Sequence, residues 1–395
     1  MSDEAYENVI EYHQRTKHTL QKYAAGPEAL DWEAQPDPFR RFEGTQHIAL
    51  PLTAGERHYA YADIVKAVNA QQQPLCLESL GSFFQLSLGL TAWKQYGTDR
   101  WSLRCNPSSG NLHPTEAYVI LPELEANVAA GVYHYYSYDH CLEQRCVAAD
   151  VNTILESDTF LLALSSIHWR EAWKYGERAY RYCQLDAGHA MASIRLSAAI
   201  HGWQVELISS CSDAQLESLI GLDRVTDFDN VEKEKPDLLV SISPTRRHHS
   251  DLSLESLLEV LHGNNIHWQG TANLLDPAPM YQWPVIDEVS LACRKTDTMD
   301  HEQNEDLEQI SIEDMPTDDS VPLILQRRSA QAFDPNHQIT FRTLQHILEV
   351  TLTQTSPHLF AGMVPNIHLL VFVHRVDGLA SGLYMLTRNA HARSG

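Results

Sequence analysis

The sequence predicts an α+β protein whose helices and strands interleave along the chain. Segments with apolar residues at helical spacing alternate with short β-branched and aromatic runs, which argues against a bundle or a sandwich. The composition, 43% hydrophobic and 21% charged, is that of a globular chain able to bury a core. A strand–gap–strand pattern recurs near the C-terminus, so part of the fold reads as duplicated. With 395 residues the chain has room for two to three domains.

Residues 4–25 read as a helix stopped by Gly26-Pro27, followed by a Pro- and aromatic-rich arm over 31–44. From Glu78 to Tyr96, Phe83, Phe84, Leu88 and Trp93 recur at helical spacing. Residues 104–116 form a loop rich in turn formers, feeding the strand AYVILPEL. Residues 131–147 alternate around Asp139-His140 as a hairpin, and 160–169 read as a strand. A long helix is expected from Glu177 to His201, with small residues that let another helix approach and Gly202 as its stop. Strands follow at 204–210 and 237–244.

Thr296 to Ser320 carries ten acidic residues and no Lys or Arg, which predicts a solvated linker. Beyond it lie VPLILQRRSAQAFD, a helix near 340–353, a strand at 366–374 and GLYML at 382–386. NIHLLVFVH…GLYMLTR echoes EAYVILPEL…GVYHYYSYD, a divergent second copy. That copy lacks a counterpart of the long helix and reads as shortened.

The net charge is −23, which disfavours nucleic-acid and anionic membrane partners. No run of 18 apolar residues occurs, and the first residues hold no basic and apolar signal pattern. Seven cysteines without a CxxC pair fit a reducing cytoplasm better than a disulfide framework.

Three stretches carry chemistry. In Arg104-Cys-Asn-Pro107-Ser108-Ser109-Gly110-Asn111, hydroxyls, an amide and backbone N–H groups can bind the polar edge of a heterocycle or a phosphate, although an ordinary turn has the same composition. Lys174-Tyr175, at the entrance of the long helix, can donate or accept a proton, or can simply stack at a helix start. Arg327-Arg328-Ser329 offers two planar forks and a hydroxyl to an oxyanion, or forms a basic surface patch.

Together these stretches resemble the flavin-dependent nitroreductase superfamily, and within it the SagB-type dehydrogenases. The resemblance rests on Tyr12-His-Gln-Arg-Thr-Lys-His18, on Arg104 to Tyr118, and on Lys174 to His189 with its Leu-x-Ala-Gly-His ending. It covers about 10–245 and, as a partial copy, 320–386. It implies a nitroreductase-like FMN fold, a mixed central sheet flanked by helices and partly duplicated. The implied layout is an N-terminal helix and arm over 1–50, a first nitroreductase-like domain over 51–250, an acidic linker region over 251–320 and a partial second domain over 321–395.

The same resemblance implies FMN as cofactor. Arg327, Arg328 and Ser329 would hold the phosphate. Arg104, Pro107, Ser108, Ser109, Gly110 and Asn111 would lie toward the ring. The first copy has no Arg-Arg-Ser of its own, with Phe39-Arg40-Arg41-Phe42 the nearest substitute. One shared site between two copies of an intramolecular pseudo-dimer follows, or else a homodimer. Lys174 and Tyr175 match the Lys-Tyr pair of azoline oxidation, with a small molecule or a modified peptide as substrate. Arg246 and Arg247 match a basic position of the superfamily loosely.

An NAD(P)H-dependent nitro or quinone reductase shares this fold and flavin, and no GxGxxG is present for a resident nicotinamide. A flavin-less scaffold is the reading of another class. A zinc protein built on His134, His140 and Cys141, or on His248 and His249, matches no closed tetrahedral spacing.

Overall fold

A computed structural model describes residues 2–68, 70–124, 128–244, 252–296, 315–363 and 366–388. Arg246, Arg247, His248, His249 and most of the acidic window lie outside the described residues.

A seven-stranded sheet organises the chain. Its order is His47–Ala49, Cys141–Val147, Gly131–Tyr136, Thr115–Leu121, Phe160–Ser166, Lys235–Ser243, Gln204–Leu207. Every one of these ladders is antiparallel, where a mixed sheet was expected. The expected hairpin around Asp139-His140 forms in register Tyr136↔Cys141.

The two central strands are buried along their whole length, so their apolar runs are continuous rather than alternating. Alternate residues nevertheless serve opposite faces. Val119, Leu121, Leu162 and Leu164 pack with Leu80, Phe83 and Phe84 and with Ala190, Met191, Ile194 and Ala198 of the long helix. Tyr118, Ile120, Leu161 and Ala163 pack against Leu216, Leu219, Leu257 and Leu261 on the other side.

The long helix runs Ala179–Ile200, after a short helix His168–Tyr175 and a tight turn Gly176–Arg178. Its small residues admit the helix Leu77–Ser87 so closely that the Ser197 hydroxyl donates to the Phe83 carbonyl at 2.8 Å.

Two expected helices are shorter than their apolar spacing suggests. The N-terminal helix Asp3–Arg15 ends because its next residue, Thr16, is claimed from outside. The Arg178 guanidinium takes the Thr16 carbonyl and Arg181 Nε donates to Thr16 Oγ1. The second helix stops at Ser87, and residues 90–104 fold instead as a hairpin, Leu90–Tyr96 with Asp99–Arg104, turning at Gly97 with φ +60°.

Beyond the acidic window, Ser320–Gln326 and Phe341–Glu349 are helical, and Leu369–Val373 pairs antiparallel with Gly382–Leu386. This segment is anchored to the body of the protein. Asp319 accepts from the Tyr59 N–H at 3.2 Å, and the buried Arg195 donates to the Leu359 and Ala361 carbonyls.

Under the sheet edge, His134 lies between two carboxylates, Nδ1 at 2.8 Å from Glu143 and Nε2 at 3.1 Å from Glu116. Burial alone would strip its proton, but hydrogen bonds to Glu116 and Glu143 outweigh burial and raise it to about 9. Glu116 is held at about 2, because the charge of Arg170 and the His134 bond overcome the opposing effect of burial.

The folded pKa of His134 lies above its ordinary value, so its stabilisation is complete below about pH 6.5 and lost as pH rises through about 9. Tm should therefore fall between pH 6.5 and 9.5 in a calorimetric series, and His134→Ala should flatten that fall. The same variant leaves two carboxylates facing an unfilled space and should lose roughly 3–5 kcal/mol.

Candidate functional site

The loop that joins the strands Asp99–Arg104 and Thr115–Leu121 is the centre of the site. Its backbone is unusual. Gly110, Asn111 and His113 all take left-handed φ, at +60°, +62° and +52°. Glycine reaches that region freely, whereas asparagine and histidine need outside contacts to stay there.

Those contacts converge on the loop from three sides. Asp186 of the long helix accepts from Ser108 Oγ at 2.7 Å, from Ser109 Oγ at 2.9 Å and from the Ser109 N–H at 3.0 Å. Ser108 Oγ in turn accepts from the His113 N–H at 2.8 Å. Asn111 Nδ2 donates to the Ser102 carbonyl at 2.9 Å, and its Oδ1 faces His113 Nε2 at 3.1 Å. Arg104 donates to the Thr115 and Pro38 carbonyls at 3.3 and 2.6 Å, below the Phe39 ring. Burial lowers Arg104 to about 10, so it stays charged at neutral pH.

Lys174 and Tyr175 close the helix His168–Tyr175 against the tip of this loop. A Cβ on Gly110 would lie 2.6 Å from Tyr175 Oη and 3.2 Å from Lys174 Nζ, so only glycine fits. Lys174 Nζ sits 5.6 Å from the ring centres of Trp32 and of Tyr175. Burial raises Tyr175 to about 12, with Glu171, Tyr182 and Asp186 adding to it. At neutral pH Tyr175 is therefore a proton donor, not a phenolate.

The third motif reaches the other end of the same loop. Arg327 Nη2 donates to the Cys105 carbonyl at 3.4 Å. Arg328 turns onto the Thr91 carbonyl at 3.3 Å and the Leu325 carbonyl at 2.9 Å. Ser329 follows, exposed. The structure thus brings together all three stretches singled out in the sequence, with Pro107 half-buried where the loop turns.

Two expectations change. Arg40 cannot stand in for a phosphate clamp, because it is buried on Glu234 at 3.0 Å and on the Glu232 and Asn273 carbonyls. Arg41 pairs with Asp37 and Glu43. The polar groups of the loop are also less free than composition implies, since both serine hydroxyl protons and the Ser109 N–H point at Asp186.

Asp186 and Glu171 were missed. Asp186 is the x of Leu-x-Ala-Gly-His, and it falls on the buried stripe with Cys183, Ala190 and Ile194. A carboxylate on a core stripe was the available signal. Around the loop, Arg104 Nε, Asn106 Oδ1, His113 Nδ1 and Thr115 Oγ1 are buried and have no hydrogen-bond partner among the described residues. Among the described residues no cluster of three or more His, Cys, Asp or Glu is placed to hold a metal, and no helix is long and apolar enough to cross a membrane.

Residues 100–231 match the sequence model of the nitroreductase family. The trifolitoxin-processing protein TfxB of Rhizobium leguminosarum bv. trifolii is 30% identical over 192 residues, 44% of this chain and 51% of that protein. The chain thus spans about half the length of that relative. A nitroreductase-like protein of Methanocaldococcus jannaschii is 22% identical over 156 residues, 37% of this chain and 75% of its own. Among solved structures, a nitroreductase-like protein of Anabaena variabilis superposes with a TM-score of 0.64 at 21% identity, covering 96% of this chain and 76% of that one. This last likeness concerns the fold alone, which is α+β of the nitroreductase type.

Gly110→Ala should force Tyr175 away from the loop and cost about 1–3 kcal/mol, read as a lower denaturation midpoint. Adding Tyr175→Ala should recover part of that loss, since the two changes share one contact.

Proposed function

From a chain that carries a nitroreductase-family domain, we propose an FMN-dependent oxidoreductase of the SagB-type dehydrogenase kind, oxidising azolines in a peptide to azoles. The observation that carries this reading is one loop with two partners. Its start lies on the Arg327 guanidinium and its tip lies on Lys174 and Tyr175. An oxyanion-binding group and a proton-transfer pair so flank the loop that the resemblance assigns to the flavin ring.

The residues present fit FMN. Gly110 is exposed at the tip beside Tyr175 and Lys174, four buried polar atoms around the loop lack partners among the described residues, and Arg327 brings positive charge to a strongly acidic chain. Arg327, Arg328 and Ser329 would hold the phosphate; Arg104, Pro107, Ser108, Ser109, Gly110 and Asn111 would shape the ring side. Bound FMN would supply a hydride acceptor. Ser108 and Ser109 direct their protons to Asp186, so they would face a cofactor with oxygen lone pairs.

The proton that accompanies hydride loss from a ring carbon would need an acceptor, which Lys174 could provide only in its neutral amine form. Tyr175 keeps its own proton and would donate a hydrogen bond to the substrate. A peptide substrate is supported by the SagB-type resemblance and by the name of the Rhizobium relative. The meeting of Arg327 with the loop of residues 104–111 also supports one site shared between two copies. The seven unpaired cysteines suit a reducing cytoplasm. A nicotinamide-dependent reductase remains the second reading, favoured if the flavin is reduced readily by NAD(P)H and no azoline peptide is turned over.

The purified chain should carry FMN, seen in its visible spectrum and identified after release. Arg327→Ala should lower flavin affinity by about tenfold or more in a titration. Full retention by that variant would remove the shared site. Lys174→Ala and Tyr175→Phe should keep the flavin but lose about 10²-fold in turnover.

A further inference from the structure

We propose that Asp186 is a positioning residue, holding residues 108–113 in the left-handed form that presents Gly110 to Lys174 and Tyr175, with the buried Glu171 carboxyl beside it. This rests on the reading above only where it concerns the flavin. The geometry of the loop stands without it.

Asp186 belongs to a buried helix stripe, with Cys183, Ala187, Ala190 and Ile194 as its apolar neighbours. A carboxylate there is tolerated only when hydrogen-bonded or paired. Among the described residues no Lys or Arg pairs with it. Its hydrogen bonds come from the loop, from Ser108 Oγ, Ser109 Oγ and the Ser109 N–H. The dependence runs both ways, because Asn111 and His113 hold left-handed φ without the freedom of glycine. Ser108 links the two ends of the strained stretch, giving its proton to Asp186 and receiving the His113 N–H.

Glu171 completes the arrangement. It is fully buried on the helix that carries Lys174 and Tyr175, and among the described residues no N–H or hydroxyl donates to it. Burial first, and then the charge of Asp186, push it well above the usual carboxylate range, while Lys174 pulls the other way. Tyr175 and Cys183 also face it, and His189 faces Asp186. Burial raises Asp186 as well, but the hydrogen bonds from Ser108 and Ser109 oppose that rise, so the loop favours the charge on Asp186 over Glu171.

These roles are separable by isosteric substitution. Glu171→Gln places a neutral isostere beside Asp186. Asp186→Asn sets an amide donor against the donors of the loop. The measurement is hydrogen exchange of the full-length protein without flavin, followed over 104–114 and over the long helix. Asp186→Asn should speed exchange about tenfold over 104–114 while leaving the long helix protected, and Glu171→Gln should stay within about twofold of the parent. Should Asp186→Asn fold poorly, the double variant Ser108→Ala, Ser109→Ala removes the hydroxyl donors from the loop side and should give the same local loosening.

A general loss of protection, with no excess in the loop, would mean a purely structural role and overturn the proposal. Equal damage from Glu171→Gln would overturn the assignment of charge within the pair. An FMN titration of the same proteins separates the two readings. Weaker binding by Asp186→Asn extends its role to the cofactor. A parent chain that binds no flavin sinks the cofactor reading and leaves the exchange result to decide on Asp186.

Discussion

One buried guanidinium sets where the two halves of the site meet. Arg170 lies in the helix His168–Tyr175 and is 1% exposed. It donates to the His113 carbonyl at 2.8 Å, to Glu116 of the central strand and to the Asp37 carbonyl of the N-terminal arm at 3.0 Å. One side chain thus fixes the helix that ends in Lys174 and Tyr175 relative to both the loop and the sheet. Glu116 continues the chain of contacts through His134 to Glu143. Each charge in this network is costly alone in the interior and is compensated by the next. The site geometry is therefore set by the core of the protein and not by the surface loop itself.

The far end of that helix is secured by the N-terminus. Tyr12 donates its hydroxyl to the Glu177 carbonyl at 2.7 Å, and Arg15 pairs with the Glu177 carboxylate. Arg178 and Arg181 close on Thr16 and His13. Two of the sequence stretches that carry the family resemblance are thus contact partners, more than 150 residues apart in the chain. The basic and aromatic residues after Tyr175 need no catalytic role to account for their presence. They clamp the turn Gly176–Arg178, so that Lys174 and Tyr175 end a helix held on both sides.

What was legible in the sequence follows from which forces are local. The central strands were readable because burial on both faces leaves uninterrupted apolar runs, and the hairpin because Asp139-His140 breaks an alternating pattern. The helix after Glu78 was read too far, since Leu88 keeps helical phase with Phe84 while Gly89 and Gly97 mark the real boundaries. The first helix was overextended because its stop at Thr16 depends on arginines over 160 residues away. At the site, Ser108, Ser109, Lys174 and Tyr175 were recognisable as types. Their partner Asp186 was not, because 77 residues separate it from Ser109 and only the fold makes them neighbours.

The division of donors and acceptors narrows the chemistry the site can perform. A loop with free hydroxyls would donate to any polar edge placed over it. Here Asp186 takes those protons, which leaves oxygen lone pairs, while Tyr175 retains a proton that burial makes hard to remove. Donors at the two ends of the loop are then Tyr175 at its tip and Arg327 at its start. An acceptor-rich tail suits the arginine end and a planar, mixed donor–acceptor ring suits the middle. The lysine end suits a carbon acid whose proton leaves beside a hydrogen-bond donor. That polarity rests on Asp186, whose carboxylate takes the serine protons, while burial holds the neighbouring Glu171 well above the usual carboxylate range.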